Sequence, residues 1–331
     1  MVRGGVVHIL ILGAAGMVGR KLTQKLGRDG VLGGQTVYRL TLVDVIAPER
    51  PAIAGDCRCL ALDISDPATA PALIGQRPDV IFHLAAIVSG EAEVDFDKGY
   101  AINLDGTHHL LDAIRMAHLA DGYRPRVVFT SSIAVFGAPF PEVIEDDFFT
   151  TPRTSYGVQK AIGELLIGDY SRKGFLDGIA LRLPTICIRP GAPNKAASGF
   201  FSNILREPLV GKPAILPVPD TVRHWHASPR AAVGFLLHAA TMDLAPLGAR
   251  RALSLPGLSA TVAEQIEALR RIAGNAAVAL IRREDDPAIR AIVDGWPQNF
   301  TARRALDLGF RADDSFDQII QFHIQDELVG S

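Results

Sequence analysis

A glycine-rich segment directly after the first apolar run limits the fold more than any other feature of this chain. The mostly apolar run Val6 to Leu12 is followed by GAAGMVG, residues 13–19. Gly13 permits a tight turn, Gly16 lets a ligand approach the backbone, and Gly19 lets the next helix pack against the strand. We therefore predict a strand, a turn and a helix whose first N–H groups bind phosphate, with Ala15, Met17 and Val18 among the residues that contact the ligand.

Short β-branched segments alternate with longer helical patterns through the first half of the chain. This alternation is typical of βαβ units. It predicts an α/β fold with a doubly wound parallel (Rossmann) sheet, whose ligand crevice lies at the carboxyl ends of the strands. The predicted strands are Val6–Leu12, Arg39–Val43, Val80–Leu84, Arg126–Thr130 and Gly178–Leu183, and helices are predicted to begin near Met17, Pro67, Tyr100 and Tyr156.

An acid, Asp44, stands at the end of the second predicted strand, directly after Val43. A carboxylate at this place accepts hydrogen bonds from the ribose hydroxyls of a dinucleotide and repels a 2′-phosphate, which favours NAD over NADP. The spacing from Gly13 exceeds the usual ~20 residues, and we interpret residues 27–35 as an inserted loop. An alternative role for Asp44 is to cap a turn or helix. Further predicted contacts with NAD are Asp63, Ile64, Leu84, Ala85 and Ala86.

The length and composition indicate a globular chain with two lobes. With 331 residues and 48% hydrophobic side chains, the chain exceeds the size at which one core usually divides. Near residue 184 proline and glycine become frequent and the strand pattern fades. We predict an NAD-binding Rossmann domain at 1–183 and 221–255, and a smaller, discontinuous substrate-binding lobe at 184–220 and 256–331.

The charge balance argues against polyanionic partners. Lys and Arg number 34 against 36 Asp and Glu, so neither nucleic acid nor a membrane surface is an expected partner. No apolar segment approaches the ~20 residues that span a bilayer, and no export signal is found, so a cytoplasmic protein is expected. The cysteines and scattered histidines predict neither disulfides nor a metal site.

Three side chains with catalytic chemistry lie between the fourth and fifth predicted strands. Tyr156 and Lys160 are spaced i, i+4 and share one helical face. A free tyrosine has a pKa of about 10, and a neighbouring ammonium group favours the phenolate that can accept a substrate proton. Ser132 supplies a hydroxyl that can hold the substrate oxygen. The alternative for the Tyr/Lys pair alone is a solvated helix face.

These segments together resemble the extended short-chain dehydrogenase/reductase family over nearly the whole chain. The matching motifs are GAAGMVG, the acid after the second strand, Asp63-Ile64, HLAA, NLDGT, SSIAVFG and YGVQK. The resemblance implies that Ser132 is the catalytic serine, Tyr156 the acid/base, and Lys160 its activator. It also implies that Asn103 supports catalysis by ordering water or helix backbone, with a plain helix residue as the alternative. The NAD contacts implied by the resemblance are Asn103, Tyr156, Lys160 and Pro184.

The chain departs from the sugar-nucleotide members of that family. Those members commonly have Arg-Asp-aromatic where this chain has Arg223-His224-Trp225, and many relatives have tyrosine in place of Phe136. These differences argue against a nucleotide sugar as substrate.

Several longer segments are similar to the D-erythronate dehydrogenases, which oxidise C2 of a four-carbon sugar acid with NAD. Among them are LAAIVSGEAEVDFDKGYAINLDGT and ALRLPTICIRPGAPN. The resemblance implies oxidation of D-erythronate to 2-dehydro-D-erythronate. Arg223 is the expected partner of the carboxylate, with a structural salt bridge as its alternative. The other expected substrate contacts are Ser89, Ser132, Tyr156, Thr185 and Asn194, although Ser89 and Asn194 could equally be plain loop residues.

Three other functions remain open at the level of the sequence. They are a sugar-nucleotide epimerase that recycles its NAD, a threonine-dehydrogenase-like enzyme, and a non-catalytic NAD-binding module. The segments that begin near Asn103 and Tyr156 also carry apolar faces that relatives use to form a dimer. We expect a homodimer, the alternative being that these faces only cover the sheet.

Overall fold

A computed structural model describes residues 5–191 and 198–329 of the protein, and the chain forms two units. The first unit comprises residues 1–132, 154–182 and 233–253, and the second comprises residues 133–153, 183–232 and 254–331. Residues 133–153 and 221–232 belong to the second unit, whereas the prediction placed both segments in the first lobe. The assignment of the lobes to NAD and to substrate stays a prediction.

The described residues form thirteen strands and twelve α-helices. The strands are β1 Val6–Leu12, β2 Val31–Leu32, β3 Gln35–Asp44, β4 Asp56–Ala61, β5 Val80–His83, β6 Arg126–Ser132, β7 Asp177–Leu183, β8 Thr185–Ile186, β9 Ala214–Leu216, β10 Arg223–Ala227, β11 Ala252–Ser254, β12 Leu258–Thr261 and β13 Ile281–Arg283. The helices are α1 Met17–Asp29, α2 Thr69–Ile74, α3 Ser89–Val94, α4 Phe96–Gly99, α5 Gly106–Asp121, α6 Ser155–Arg172, α7 Gly199–Leu209, α8 Pro229–Thr241, α9 Val262–Val278, α10 Pro287–Val293, α11 Arg303–Asp307 and α12 Phe316–His323. A π-helical segment, Tyr100–Asp105, joins α4 to α5.

An eight-stranded sheet organises the first unit. Its order is β11-β7-β6-β5-β1-β3-β2, and β4 also pairs with β3. Strand β1 is parallel to both β3 and β5, β5 is parallel to β6, and β3 is parallel to β4. The predicted α/β fold with a doubly wound parallel sheet is confirmed. The strand order reverses around β1, so the carboxyl ends of β1, β3 and β5 border the place where such sheets bind ligands.

The segment between α1 and β3 differs from its prediction as an inserted loop. Helix α1 continues to Asp29, and β2 then pairs antiparallel with the start of β3. Gly33 and Gly34 both have positive φ and turn the chain between the two strands. The strand β2 has only two residues and is surrounded by glycines and charged residues, so no strand is predicted there. One of its two residues, Leu32, is buried. A hairpin therefore accounts for much of the long spacing between the glycine segment and Asp44.

Helix α6 is held close to the sheet of the first unit. Its amino terminus is capped by Thr154, whose hydroxyl accepts a hydrogen bond from the Gly157 N–H at 3.1 Å. One turn after Lys160, Gly163 lies so near Phe129 of β6 that a Cβ atom would come within 2.7 Å of Cζ. The apolar core on this side is formed by buried residues of the sheet, α2, α5 and α6, among them Leu10, Ile74, Ile81, Leu110, Ile114, Phe129 and Ile167.

The second unit has a smaller sheet with the order β12-β10-β8 and a parallel pair of β9 and β13. Strand β10 pairs antiparallel with β12 and parallel with β8. Helices α7, α9 and α12 bury an apolar cluster that includes Phe201, Leu269 and Ile320. Across residues 5–191 and 198–329, no helix combines the length and the apolar character needed to cross a membrane.

Candidate active site

The turn between β1 and α1 requires glycine at two of its three glycine positions. Gly13 has φ +86°, and a Cβ there would come within 2.6 Å of the Ala85 nitrogen. A Cβ on Gly19 would overlap the Gly13 carbonyl oxygen and approach Ala14 Cα to 2.8 Å. Gly16 differs, because the nearest atom to its Cβ would be the Gly13 oxygen at 3.4 Å. The protein itself therefore tolerates a side chain at Gly16, and only an approaching ligand would require its absence.

Asp44 lies at the carboxyl end of β3, beside the glycine segment. Its Oδ2 accepts a hydrogen bond from the Ala15 N–H at 2.9 Å, and its Oδ1 accepts one from the Val45 N–H at 2.8 Å. The alternative predicted for Asp44, capping of a turn, is thus present. Each carboxylate oxygen has two lone pairs, so this capping leaves acceptor capacity for ribose hydroxyls and fixes the orientation of the carboxylate.

The other predicted NAD contacts of the first unit lie at the same end of the sheet. Asp63 follows β4, is exposed, and accepts hydrogen bonds from the backbone N–H and the hydroxyl of Ser65 at 2.8 and 2.7 Å. Ile64 is buried within the core cluster, so it would meet a ligand through its backbone. Residues 84–86 directly follow β5, and the Leu84 N–H donates to the Leu12 carbonyl at 2.8 Å.

Lys160 is fully enclosed beneath the Tyr156 ring. Its Nζ donates a hydrogen bond to the Thr130 carbonyl at 2.8 Å and lies 5.7 Å from the centroid of Tyr156 and 4.8 Å from that of Phe129. Burial lowers the pKa of Lys160 to about 7, against the opposing influence of the Glu164 carboxylate. The ammonium form is therefore still populated at neutral pH, where it can stabilise a phenolate at Tyr156.

Ser132 is the last residue of β6 and is half-buried. It lies two positions after Thr130, the residue whose carbonyl binds Lys160. The end of β6 thus carries both the Ser132 hydroxyl, which is predicted to bind the substrate oxygen, and the Thr130 carbonyl, which binds Lys160.

Asn103 joins the loop after β5 to helix α6. Its Nδ2 donates to Gln159 Oε1 at 2.8 Å and to the Ile87 carbonyl at 3.3 Å, and its Oδ1 accepts from the Ile87 N–H at 2.9 Å. The side chain is buried. These contacts show how Asn103 would position the residue that precedes Lys160, whereas its ordering of a catalytic water stays a prediction.

A buried ionic network beneath the Tyr/Lys pair was not identified in the sequence. Arg182 forms a bidentate salt bridge with Glu164, and Glu164 Oε1 also accepts from the Ser131 hydroxyl at 2.5 Å. Glu164 lies one turn after Lys160, so the i, i+4 spacing offered a signal for it. The network links α6 to the ends of β6 and β7 next to Ser132.

Arg223, the residue predicted to bind the carboxylate, has partners within the second unit. Its Nη1 donates to the Ser259 carbonyl at 3.0 Å, and its Nη2 lies 3.3 Å from Glu264 Oε2. The salt bridge kept as an alternative is therefore present. The guanidinium still lines a cavity of about 600 Å³ in this unit, together with Glu142 and Asp294, so a role in binding stays a prediction.

The remaining predicted substrate residues are distributed over both units. Ser89 begins α3 and is half-buried. In the second unit Pro184 is buried, and Thr185 is half-buried with its hydroxyl 2.7 Å from His224 Nε2. Asn194 lies outside the described residues.

The NAD dependent epimerase/dehydratase family model matches residues 9–227. The chain belongs to this family. Its resemblance to extended short-chain dehydrogenases/reductases, inferred from the motifs, is confirmed, and the family supports an NAD-dependent oxidoreductase acting on CH–OH groups.

Two relatives and one solved structure align with nearly the whole chain. The D-erythronate dehydrogenase of Cupriavidus necator is 48% identical over 97% of this chain and 98% of the relative. The D-erythronate dehydrogenase of Haemophilus influenzae is 42% identical over 96% and 99%. A crystal structure described as the nucleoside-diphosphate-sugar epimerase from Agrobacterium tumefaciens is 67% identical, with a TM-score of 0.97 and coverage of 98% and 96%.

Proposed function

We propose that this protein oxidises the C2 hydroxyl of D-erythronate to give 2-dehydro-D-erythronate, with NAD as the oxidant. The observation that carries the proposal is the near-complete alignment with two D-erythronate dehydrogenases at 48% and 42% identity. The presence of Ser132, Tyr156 and Lys160 supports it, because proton abstraction from a hydroxyl needs a base and a donor to the oxygen.

The residues of the first unit fit NAD. The backbone around Gly16 is open to a diphosphate at the amino terminus of α1. The Asp44 carboxylate, already oriented by its hydrogen bonds, would bind the adenosine ribose. Asp63 and the Ile64 backbone would contact the adenine. Leu84, Ala85 and Ala86 would pack against the cofactor beside them. Asn103, Tyr156 and Lys160 are the contacts proposed nearer the nicotinamide, and Pro184, which belongs to the second unit, is proposed as a further NAD contact. When bound, NAD supplies the hydride acceptor.

The proposed proton chemistry uses three side chains of the first unit. Tyr156 takes the proton of the C2 hydroxyl as a phenolate. Lys160, fixed by Thr130, stabilises that phenolate through its positive charge. Ser132 donates a hydrogen bond to the substrate oxygen, and Asn103 holds the amino-terminal part of α6 through Gln159. Arg223, Ser89, Thr185 and Asn194 are the further proposed contacts of the sugar acid.

The proposal is tested by measuring NADH formation by the purified protein with D-erythronate. L-Erythronate, D-threonate, L-threonine and a UDP-sugar serve as parallel substrates. Selective NADH formation with D-erythronate supports the proposal. Selective NADH formation with L-threonine would replace it with a threonine-dehydrogenase-like function, and NAD binding without turnover of any compound would favour a non-catalytic module.

One observation favours a second candidate function, a sugar-nucleotide epimerase. The Agrobacterium protein that is described as an epimerase is more similar to this chain than the two dehydrogenases are. An epimerase reduces and reoxidises its NAD in each cycle, so no net NADH would appear. Conversion of a UDP-sugar to its epimer without net NADH would therefore decide for this candidate.

We further propose a homodimer formed through α5 and α6. Met116 and Leu119 on α5 and Leu165 on α6 are exposed in the single chain, with Leu165 at 74%. Large exposed apolar side chains on neighbouring helices are typical of association surfaces. Light scattering should give twice the mass of the chain, and a monomer at assay concentration would contradict the proposal. The predicted cytoplasmic location stays a prediction.

A further inference from the structure

His224 replaces the acid of the family pattern and has both ring nitrogens in hydrogen bonds. Its Nδ1 lies 3.0 Å from the Pro297 carbonyl oxygen. Its Nε2 lies 2.7 Å from the hydroxyl oxygen of Thr185, the residue that begins β8. All three residues belong to the second unit.

The chemistry of these partners determines where the protons lie. A carbonyl oxygen only accepts, so Nδ1 must carry the hydrogen in its bond with Pro297. A neutral imidazole has one N–H, which leaves Nε2 as an acceptor. The Thr185 hydroxyl must then donate its only hydrogen to Nε2. Its oxygen is left with lone pairs alone, and across the described residues it makes no other side-chain hydrogen bond.

The ring is held in its neutral form and in this orientation by its surroundings. His224 is 2% exposed and stacks on Phe201, with centroids 5.3 Å apart and planes at 4°. Trp296 packs against it at 5.2 Å. Burial lowers the pKa of His224 to about 4, and the positive charge of Arg189 acts in the same direction. The charged form, which would reverse the bond to Thr185, is therefore negligible at neutral pH.

We propose that His224 is a positioning residue that fixes the Thr185 hydroxyl as a hydrogen-bond acceptor, so that the enzyme selects substrates that offer a hydroxyl donor beyond the oxidised carbon. The inference rests on the proposed function, which assigns Thr185 to the substrate. A carboxylate has no hydrogen to donate, so Thr185 cannot be its partner. The C3 or C4 hydroxyl of D-erythronate has one.

Two substitutions of His224 separate this role from a structural one. In His224→Asn the amide nitrogen replaces Nδ1 and keeps the bond to Pro297, while no group reaches Thr185. In His224→Gln the end of the side chain reaches the position of Nε2 and can accept from Thr185. The readout is kcat/KM for D-erythronate divided by that for 2,4-dihydroxybutanoate, which lacks the C3 hydroxyl, and for 2,3-dihydroxybutanoate, which lacks the C4 hydroxyl.

We expect the native enzyme to prefer D-erythronate over one of these analogues by roughly tenfold to a hundredfold, the usual consequence of leaving one hydrogen-bonding group without its partner. His224→Gln should retain most of that preference and His224→Asn should lose most of it. Equal preferences in the two variants, or no preference in the native enzyme, would overturn the inference.

Variants of Thr185 provide the second test if substitution of the buried histidine disturbs folding. Thr185→Ser keeps the hydroxyl and should keep the preference, whereas the isosteric Thr185→Val should remove it. Retained preference in Thr185→Val overturns the inference. Nitrogen-15 NMR of labelled histidine checks the proton position independently of activity, and a protonated Nε2 on His224 at neutral pH would also overturn it.

The outcome for the native enzyme distinguishes this inference from the proposed function. If native protein forms no NADH from D-erythronate, the proposed function fails and the inference fails with it. If D-erythronate is oxidised but the variants do not differ as described, only the role of His224 and Thr185 fails.

Discussion

Lys160 donates a hydrogen bond from Nζ to the carbonyl oxygen of Thr130 over 2.8 Å. This bond ties helix α6 to the strand that ends in Ser132, and it does so without using the Tyr156 hydroxyl. The position of Lys160 is therefore set by its bond to the strand. Its positive charge acts on the ring of residue 156, which lies 5.7 Å away. Loss of the tyrosine hydroxyl should consequently affect chemistry rather than architecture.

The Tyr156→Phe variant should lose turnover with little change in NAD binding. Removing a general base typically costs roughly two to four decades in rate, while the phenyl ring keeps the packing against Lys160. Steady-state NADH formation measures the first quantity, and a fluorescence titration with NADH measures the second. Unchanged turnover would contradict the proposed role of Tyr156.

Substitutions in the glycine segment should separate folding from ligand binding. Gly16→Ala should unfold at nearly the native temperature, because its Cβ has room within the protein, yet it should bind NAD at least ~10-fold more weakly, since a methyl group would occupy the path of the diphosphate. Gly19→Ala should lose about 1–3 kcal/mol of unfolding free energy through overlap with Gly13 and Ala14.

Thermal unfolding and NAD titration of the two alanine variants test this difference. Native NAD affinity in the folded Gly16→Ala protein would show that no diphosphate approaches there.

The charge of Asp44 should determine the preference for NAD. Asp44→Asn preserves the shape and an acceptor for the Ala15 N–H but removes the repulsion of a 2′-phosphate. We expect the ratio of kcat/KM for NAD to that for NADP to fall by about tenfold or more, since two like charges about 4 Å apart near a protein surface repel by about 1–4 kcal/mol and about 1.4 kcal/mol corresponds to a factor of ten. A ratio unchanged from the native enzyme would assign Asp44 to turn capping alone.

The sequence predicted the elements near the glycine segment well because their signals are local. The bounds of β1 are those expected, α1 starts at Met17, and α6 starts one residue before Tyr156. Each rests on apolar periodicity, a glycine or a capping residue within a few positions. The two-residue strand β2 could not be predicted because glycines surround it, at positions 27, 30, 33 and 34.

The partners of the site residues could not be predicted in the same way. Glu164 binds Arg182 and Ser131, which lie 18 and 33 positions away, and His224 binds Pro297 at a separation of 73. Such pairs form where strands and helices that are distant in sequence pack together. The periodicity of apolar residues does not specify which of them pack together. The sequence gives the identity of a chemical group, while the fold decides whether that group is already engaged, as Arg223 is with Glu264.

Arg223 and Glu264 offer a matched pair for testing the carboxylate contact. If Arg223 binds the substrate, Arg223→Met should raise KM for D-erythronate at least ~10-fold, because a charge-assisted hydrogen bond contributes about 1.5–3 kcal/mol. NAD affinity should be unchanged. Glu264→Gln removes the charge of the exposed salt bridge, while its amide oxygen can still accept from the Thr261 N–H that caps α9, so KM should stay within about threefold. Similar KM values in both variants and the native enzyme would leave Arg223 with a structural role.

Buried histidines should make the protein less stable in mild acid. His83 is fully buried, and burial, aided by the charge of Lys160, lowers its pKa to about 3. In the unfolded chain the pKa of histidine is about 6.5. Above pH 6.5 both states are neutral at this residue. As the pH falls from 6.5 towards 3, the unfolded chain binds a proton that the folded protein does not, so the free energy of unfolding decreases.

In the His83→Gln variant, the unfolded chain binds one proton fewer in mild acid, so the free energy of unfolding should depend less on pH. Thr107 donates to the Asn103 carbonyl and therefore accepts from His83 Nε2 at 2.8 Å, a bond that a glutamine amide can replace. Urea unfolding at pH 6 and pH 5 should show a smaller decrease in the variant, by up to about 1.4 kcal/mol per pH unit. His8 and His224, whose pKa values burial lowers to about 4, act with the same sign and remain in the variant. An identical decrease in both proteins would mean that His83 becomes protonated in the folded state above pH 5.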